Sequence, residues 1–225
     1  MRHLGLLISI IFLFNFHGYT QKVREDNRPQ KRIENSYNRY QASEVNKLDL
    51  LQALDFAGIG IHKFDIGNFK KKYKLLIYIK EYKNQELVGT DTIIEGNNEY
   101  HYYKPGKKNY FIDFIDQIKV FTKEADEKLK LRVGTYKRIT TEEIEYEKSM
   151  ENQFYSIRRY VNSLWEKGEE KPLMVYASSW YNERIDAQRF CGVINLSEND
   201  KRTEELLSSS PHYFKLCYKV SELND

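Results

Sequence analysis

The sequence is poor in the residues that mark several classes of protein. It has only 4 prolines and 11 glycines among 225 residues, which excludes a collagen-like or low-complexity chain. Its 2 cysteines cannot hold zinc without histidine ligands and are too few for a scaffold of several disulfides. The formal net charge is only +3, from 36 basic and 33 acidic residues, so we expect no nucleic-acid partner. What is present is a chain with 40% hydrophobic residues, long enough to bury a core.

The longest apolar run lies at the N-terminus, from Leu4 to Phe16. As a helix it would span about 20 Å, which is short of the hydrocarbon core of about 30 Å. Gly18 and Thr20 are small enough for the −3 and −1 positions of a signal-peptidase site. We therefore predict a signal peptide over residues 1–20, cleaved between Thr20 and Gln21. A buried core helix and an uncleaved anchor are the alternatives.

The predicted signal peptide indicates the cellular location of the protein. No cysteine follows the cleavage point closely, so a lipoprotein is not expected, and no later run is long enough to predict a membrane span. We expect a periplasmic or secreted protein. Residues 21–44 are almost all polar and predict a flexible leader, and residues 45–225 then form a single domain.

The mature chain changes from a helical period to a period of two near Ile59. Leu129, Leu131 and Val133 alternate with basic residues, which indicates a strand with one buried and one solvent-exposed face. Short helices are predicted after the N-cap candidates Ser43 or Asn46, ending at Gly58, and after Asp200. The predicted fold class is therefore mainly β, an antiparallel β-sandwich of about seven to nine strands with one or two short helices. The alternative is an α+β fold with the helices packed on a single sheet.

Two segments give weaker patterns. In the first, an alternating pattern predicts one strand whose apolar side carries Ile112, Phe114, Ile118 and Val120. Asp116 is the one polar residue on that side. Residues 137–171 mix helical spacing with β-favouring residues, so we predict a long irregular connection with a strand at Gln153–Tyr160.

Several aromatic-rich blocks resemble a known family. These are LDLLQALDFAGIGIHKFDIGNF, YKLLIYIKEYKN, PLMVYASSWYNE, RFCG and PHYFKLCYKV. Together they resemble a domain-of-unknown-function family of exported Bacteroidetes proteins, over roughly residues 45–222. The resemblance implies a protein of the cell envelope or a secreted protein, and it implies no activity and no site residues.

No catalytic motif is visible. The mature chain keeps His62, His101 and His212, none in a zinc-binding spacing, and it lacks G-x-S-x-G and phosphate-loop patterns. We therefore expect no metal and no cofactor. Two carboxylates across a cleft can hydrolyse a glycoside, but Asp113 and Asp116 point to opposite faces of their predicted strand.

The unusual feature is the number of aromatic residues, 18 Tyr, 12 Phe and 2 Trp. Their flat faces and polar tips suit stacking on sugar rings or contact with protein. We predict binding residues at Tyr100, Tyr102, Trp180 and Tyr181, with Tyr103 on the face opposite Tyr100 and Tyr102. Ordinary packing of tyrosine in sheets is the alternative.

The two cysteines, Cys191 and Cys217, fall in two predicted strands. If these strands are neighbours in an oxidising compartment, a disulfide is feasible. Two free thiols are the alternative, because the order of the strands is not known.

The leading functional hypothesis is a non-catalytic, exported module that binds a glycan or a cell-envelope partner. The first alternative is a small hydrolase that uses carboxylates brought together by the fold. The second is a structural accessory subunit that recognises nothing small, which a flat apolar patch without a groove would favour.

Overall fold

The computed structural model describes residues 45–146, 148–190 and 192–223. The predicted signal peptide (1–20), the leader (21–44) and Cys191 lie outside the described residues and stay predictions. Asn46–Asp225 forms one compact unit. Neither helix in the described residues has the length and apolar character needed to span a membrane.

The described chain contains two helices and 14 strands, numbered here in chain order. The helices are α1 (Lys47–Phe56) and α2 (Lys201–Ser209). The strands are β1 (Ile59–Asp65), β2 (Lys74–Lys83), β3 (Glu86–Asn97), β4 (Glu99–Tyr103), β5 (Tyr110–Phe114), β6 (Gln117–Ala125), β7 (Lys128–Gly134), β8 (Ile139–Glu145), β9 (Tyr155–Tyr160), β10 (Glu170–Ser178), β11 (Trp180–Asn182), β12 (Ala187–Arg189), β13 (Asn195–Leu196) and β14 (His212–Ser221). With 54% strand and 11% helix, the predicted mainly β class is confirmed. The strands outnumber the expected seven to nine in part because three of them are only two or three residues long, too short to show a period.

The strands form two larger sheets and two hairpins. The six-stranded sheet has the order β13-β9-β10-β14-β2-β3, and the four-stranded sheet has the order β1-β6-β7-β8. Strands β4 and β5 form one separate hairpin, and β11 and β12 form the other. Neighbouring strands pair antiparallel, except that β13 runs parallel to β9. A turn at Asn84 and Gln85 joins β2 to β3, and both residues have positive φ angles, of 48° and 72°, as tight hairpin turns require.

The two larger sheets share one core. Leu129, Leu131 and Val133 are at most 2% exposed, so the predicted alternation of β7 is confirmed. They belong to the same buried cluster as Ile77 and Leu216 of the six-stranded sheet. The sheets thus pack face to face, which is the arrangement of a β-sandwich.

One predicted apolar row is wrong. Ile118 and Val120 are fully buried in β6, but Ile112 is 54% exposed in β5. The chain leaves strand geometry at residues 115 and 116, where the carbonyl of the half-buried Asp116 accepts a hydrogen bond from the amide of Ile66 at 2.8 Å. The expected single strand is therefore two strands in different sheets.

The segment 137–171 contains more regular structure than predicted. The strand expected at Gln153–Tyr160 is present as β9, but β8 precedes it and was missed. Only Ile144 is buried in β8, because β8 lies at the edge of the four-stranded sheet. An edge strand rich in Glu and Thr carries little hydrophobic signal.

The two helices lie where the sequence predicts them, but they pack differently. Asp200 caps α2, and Leu206 and Thr203 of this helix are buried against the face of the six-stranded sheet that points away from the sandwich core. Asn46 caps α1 through a capping box with Asp49, yet no residue of α1 is buried. Only α2 therefore adds a layer to the sandwich.

Candidate functional site

Strands β4 and β5 present aromatic side chains on both faces of their hairpin. Tyr100 and Tyr102 lie on one face, with ring centroids 5.8 Å apart. Tyr103 lies on the other face, 71% exposed, with its ring 6.5 Å from that of Tyr110. The predicted division of the three tyrosines between two faces is confirmed, since side chains alternate along a strand.

A third tyrosine joins the first face from elsewhere in the chain. Tyr136 lies in the turn between β7 and β8 and stacks on Tyr100, with ring centroids 5.1 Å apart and planes at 19°. The turn is held by the amide of Thr135, which donates to the carbonyl of Arg138 at 2.8 Å. The guanidinium of Arg138 in turn donates to the carbonyl of Glu95 in β3. The turn therefore holds Tyr136 beside β4.

A glycine in β3 makes this contact possible. A Cβ atom at Gly96 would lie 3.2 Å from the guanidinium of Arg138. Such a distance is tighter than ordinary van der Waals contact, so a larger residue would push Arg138 away from β3. Sequence reasoning missed Tyr136, because the contact that brings it to Tyr100 depends on the tertiary fold.

The stacked pair borders a hollow of about 520 Å³, which we call the tyrosine hollow. Its lining consists of Asn97, Glu99, Tyr100, His101, Tyr136 and Lys137. Tyr136 is 55% exposed, so much of its ring faces solvent although one side stacks on Tyr100.

The polar side chains of the hollow form hydrogen bonds with one another. His101 Nε2 lies 2.9 Å from Glu99 Oε1, and Lys137 Nζ donates to Asn97 Oδ1 at 2.9 Å. Asn97 Oδ1 also accepts the amide of Glu99 at 3.2 Å. Fixed donors and acceptors beside an aromatic face can recognise the hydroxyl groups of a ligand that stacks on the ring.

The hydroxyl of Tyr100 stays protonated at neutral pH. Partial burial raises the pKa of Tyr100, and the negative charge of Asp113 adds to the rise. Asp113 is the cross-strand neighbour of Tyr100 in β5. The ring of Tyr100 therefore carries no charge at neutral pH.

The carboxylates considered for hydrolysis do not form a pair in this hollow. Asp113 accepts the amide of Phe114 at 2.8 Å, and Asp116 lies in the connection after β5. Glycoside hydrolysis uses two carboxyl groups about 5–10 Å apart. Among the described residues that line the hollow, Glu99 contributes the one carboxylate.

Trp180 and Tyr181 lie in a different place. The register pairs the first residue of β2, Lys74, with Asn97 next to β4, whereas Lys83 at the far end pairs with His212. Trp180 follows β10 at that far end, so about 30 Å of strand separates it from the tyrosine hollow. The four predicted binding residues therefore do not form one site, and a binding role at Trp180 and Tyr181 stays a prediction.

Trp180 and Tyr181 also have different surroundings from Tyr100. Trp180 is half-buried and packs against Phe190, with ring centroids 6.0 Å apart. Tyr181 is 43% exposed, and its hydroxyl donates to Asp186 in the same hairpin. Local packing therefore already uses part of each side chain.

Burial shifts the pKa values of two further side chains. Cys217 is fully buried, and burial raises the pKa of its thiol; Cys191 lies outside the described residues, so a disulfide between the two cysteines stays a prediction. Burial lowers the pKa of His62. In the described residues, no group of three or more His, Cys, Asp or Glu side chains is arranged to hold a metal ion.

Comparison with known proteins identifies the family but no activity. The model of a domain of unknown function, DUF5041, matches residues 31–222, so the chain belongs to this family. No curated protein and no solved structure matches the chain. The expected resemblance to a family of unknown function is thereby confirmed, while the exported character and the Bacteroidetes origin stay predictions.

Proposed function

We propose that this member of DUF5041 is a non-catalytic binding module whose ligand is a glycan, held at the tyrosine hollow. The observation that carries the proposal is the stacked pair Tyr100 and Tyr136 beside fixed polar side chains. Sugar rings have apolar faces and a rim of hydroxyl groups. An aromatic ring next to hydrogen-bonding side chains is complementary to both.

The volume and the shape of the hollow agree with this ligand class. A volume of about 520 Å³ lies within the range of about 300–1,000 Å³ that is usual for small-ligand sites. Tyr136 is 55% exposed, so a sugar in a longer chain can reach its ring without a deep cavity. The proposal therefore favours an internal or terminal unit of a polysaccharide over a fully enclosed small molecule.

The proposal includes export to the periplasm or the outside of the cell. The basic start, the short apolar run and the small residues before Gln21 support a signal peptide. A glycan-binding module in either compartment would meet polysaccharides of the envelope or the surroundings.

Affinity gel electrophoresis of the full chain in a panel of polysaccharides tests the proposal. We expect retardation by at least one polysaccharide of the panel, and we expect Tyr136→Ala to weaken the binding about 5- to 30-fold, which corresponds to about 1–2 kcal/mol for one stacking ring. Tyr103→Ala is the matched control, because Tyr103 is also exposed but lies on the opposite face of its hairpin. Absence of any retardation, or equal loss in both variants, would refute the proposal.

A further inference from the structure

The side of the four-stranded sheet that points away from the core carries an unusual number of cations. We call it the outer face. Side chains alternate along β6 and β7, so the buried Val120 and Leu131 mark the inner side and their neighbours the outer one. The basic residues of the outer face are Lys63, Lys119, Lys123, Lys128, Lys130 and Arg132. Its acidic residues are Asp65, Glu143 and Glu145.

Only two of these cations are neutralised within the face. Lys128 Nζ lies 2.6 Å from Glu145 Oε1, and Lys130 Nζ lies 2.8 Å from Glu143 Oε1. The other four form no ion pair with any part of the chain that the structure describes; they are Lys63, Lys119, Lys123 and Arg132. The outer face therefore keeps a local excess of positive charge, although the whole chain is nearly balanced at +3.

The register brings some of these charges together at a cost to the fold. Lys63 in β1 lies directly opposite Lys119 in β6, and like charges in directly opposite positions destabilise a sheet. On the same face of β6, Lys119 and Lys123 flank Phe121, whose cross-strand neighbour is Arg132. A bound anion would relieve this repulsion, because it interacts with several of the cations at once.

The outer face continues into the tyrosine hollow. Lys119 Nζ lies over the ring of Tyr136, 5.8 Å from its centroid. Lys119, Phe121, Tyr136 and Ile139 line a smaller apolar hollow of about 220 Å³, which shares Tyr136 with the tyrosine hollow. A chain that stacks on Tyr136 can therefore extend directly over the unpaired cations.

We propose that the ligand is an acidic polysaccharide, with one sugar on the Tyr100–Tyr136 pair and its carboxylates on the cations of the outer face. This inference rests on the proposed function and specifies its ligand class. A linear polyanion fits a row of cations separated along a strand better than a single small anion does. The neighbouring ring-stacking site favours a sugar chain over an anionic lipid surface, which has no ring to stack.

The experiment compares polygalacturonate with its fully methyl-esterified form, which keeps the sugar rings and removes their charge. Isothermal titration with the full chain should give an affinity for the acid form about tenfold higher or more, at an ionic strength near 0.05 M. The ratio should fall toward one near 1 M salt, where the Debye length shrinks to about 3 Å. Equal binding of the two forms at low salt would overturn the inference and leave the proposed function standing.

Two matched double variants locate the charge effect. Lys123→Gln with Arg132→Gln removes two unpaired cations, and we expect the ratio of the two affinities to fall at least threefold. Lys128→Gln with Glu145→Gln removes one existing ion pair from the same face and leaves the net charge of the face unchanged. This control should keep the wild-type ratio, and an equal fall in both variants would overturn the local assignment. Thermal melting of each variant verifies that it is folded.

Tyr136→Ala distinguishes binding of a sugar chain from binding of any polyanion. It should weaken binding to both forms of the polysaccharide, because both stack on the same ring. Anionic vesicles or a DNA duplex that bound as tightly as polygalacturonate, without dependence on Tyr136, would show a surface that selects charge alone and would overturn the inference. Binding of neutral glycans only would overturn it too, whereas binding of no glycan would refute the proposed function as well.

Discussion

The two ends of the six-stranded sheet both carry tyrosine clusters, but they use the same side chain in different ways. In the tyrosine hollow, Tyr136 is 55% exposed. At the opposite end, a second group consists of Tyr146, Tyr155 and Tyr176, which we call the buried tyrosine cluster; its members are at most 6% exposed. Its rings stack closely, with centroids of Tyr155 and Tyr176 5.0 Å apart.

Two of the three hydroxyl groups of the buried tyrosine cluster are hydrogen-bonded within the protein, and the hydroxyl of Tyr176 has no hydrogen-bond partner among the described residues. Tyr146 donates to Glu124 Oε1 at 2.6 Å, and the hydroxyl of Tyr155 lies 2.8 Å from His212 Nδ1. These bonds matter because a buried hydroxyl that is left unpaired costs about 1–3 kcal/mol. The number of aromatic residues therefore does not locate a binding site, whereas an exposed ring face with polar neighbours does.

Truncating one tyrosine at each end should give the largest difference. Tyr176→Ala removes a ring that is 3% exposed, and we expect the free energy of unfolding to fall by about 3–5 kcal/mol. Tyr136→Ala is the same chemical change at an exposed position and should cost no more than about 0.5 kcal/mol. Urea denaturation followed by circular dichroism measures both. Similar losses in the two variants would contradict the division into a structural and a binding end.

A pair of histidines gives the next largest contrast. His212 lies 3.0 Å from Glu81 through Nε2 and packs on the ring of Phe214, with its side chain 11% exposed. His212→Ala should therefore lower the free energy of unfolding by about 2–3 kcal/mol. His101 makes a similar contact with Glu99, but its side chain is 50% exposed.

His101→Ala is the control for this variant. We expect it to change the free energy of unfolding by less than about 0.5 kcal/mol, because water replaces the lost contact. The same urea titration measures both variants. A loss above about 1 kcal/mol for His101→Ala would mean that the tyrosine hollow is part of the stabilising core.

A smaller effect concerns pH. Burial, with the hydrogen bond to Glu124, raises the pKa of Tyr146 to about 12, whereas tyrosine in the unfolded chain titrates near 10. The folded state thus keeps this proton to higher pH than the unfolded state does. The stability that results is complete below about pH 10 and is lost as the pH rises through about 12.

Tyr146→Phe tests this contribution. At about pH 8 the variant should be less stable than the wild type by about 1 kcal/mol, the usual value of one hydrogen bond. The difference should narrow at about pH 11, because the wild type alone loses the contribution of this group. Urea midpoints at the two pH values measure it, with Tyr103→Phe at the exposed end as the control. A difference that is equal at both pH values would contradict the assignment.

The sequence predicts the fold best where one face of a strand is fully buried. Leu129, Leu131 and Val133 alternate with basic residues, so the period of two is visible without the structure. In β8 the alternation of apolar and polar residues is not visible, because Ile144 is its only buried residue. An edge strand contacts the core so little that its composition reflects solvent more than packing.

The sequence predicts only part of the candidate site. Tyr100 and Tyr102 are two residues apart, so their common face follows from strand geometry alone. Tyr136 reaches them through a turn held by Arg138 on β3, and such a contact depends on how two sheets are arranged. For the same reason the distance of Trp180 from Tyr100 follows only from the order and register of the strands.

The smallest expected effect on ligand affinity is at Trp180, which lies at the far end of the sheet from the tyrosine hollow. Trp180→Phe keeps an aromatic ring against Phe190, so it should cost less than about 1.5 kcal/mol of unfolding free energy. Affinity for a polysaccharide that binds the wild type should stay within twofold of the wild-type value, because about 30 Å of strand separates Trp180 from the tyrosine hollow. Affinity gel electrophoresis beside Tyr136→Ala measures this. If Trp180→Phe weakened binding as much as Tyr136→Ala, then the two ends would both contact the ligand. The ligand would then have to extend along the roughly 30 Å of strand between them.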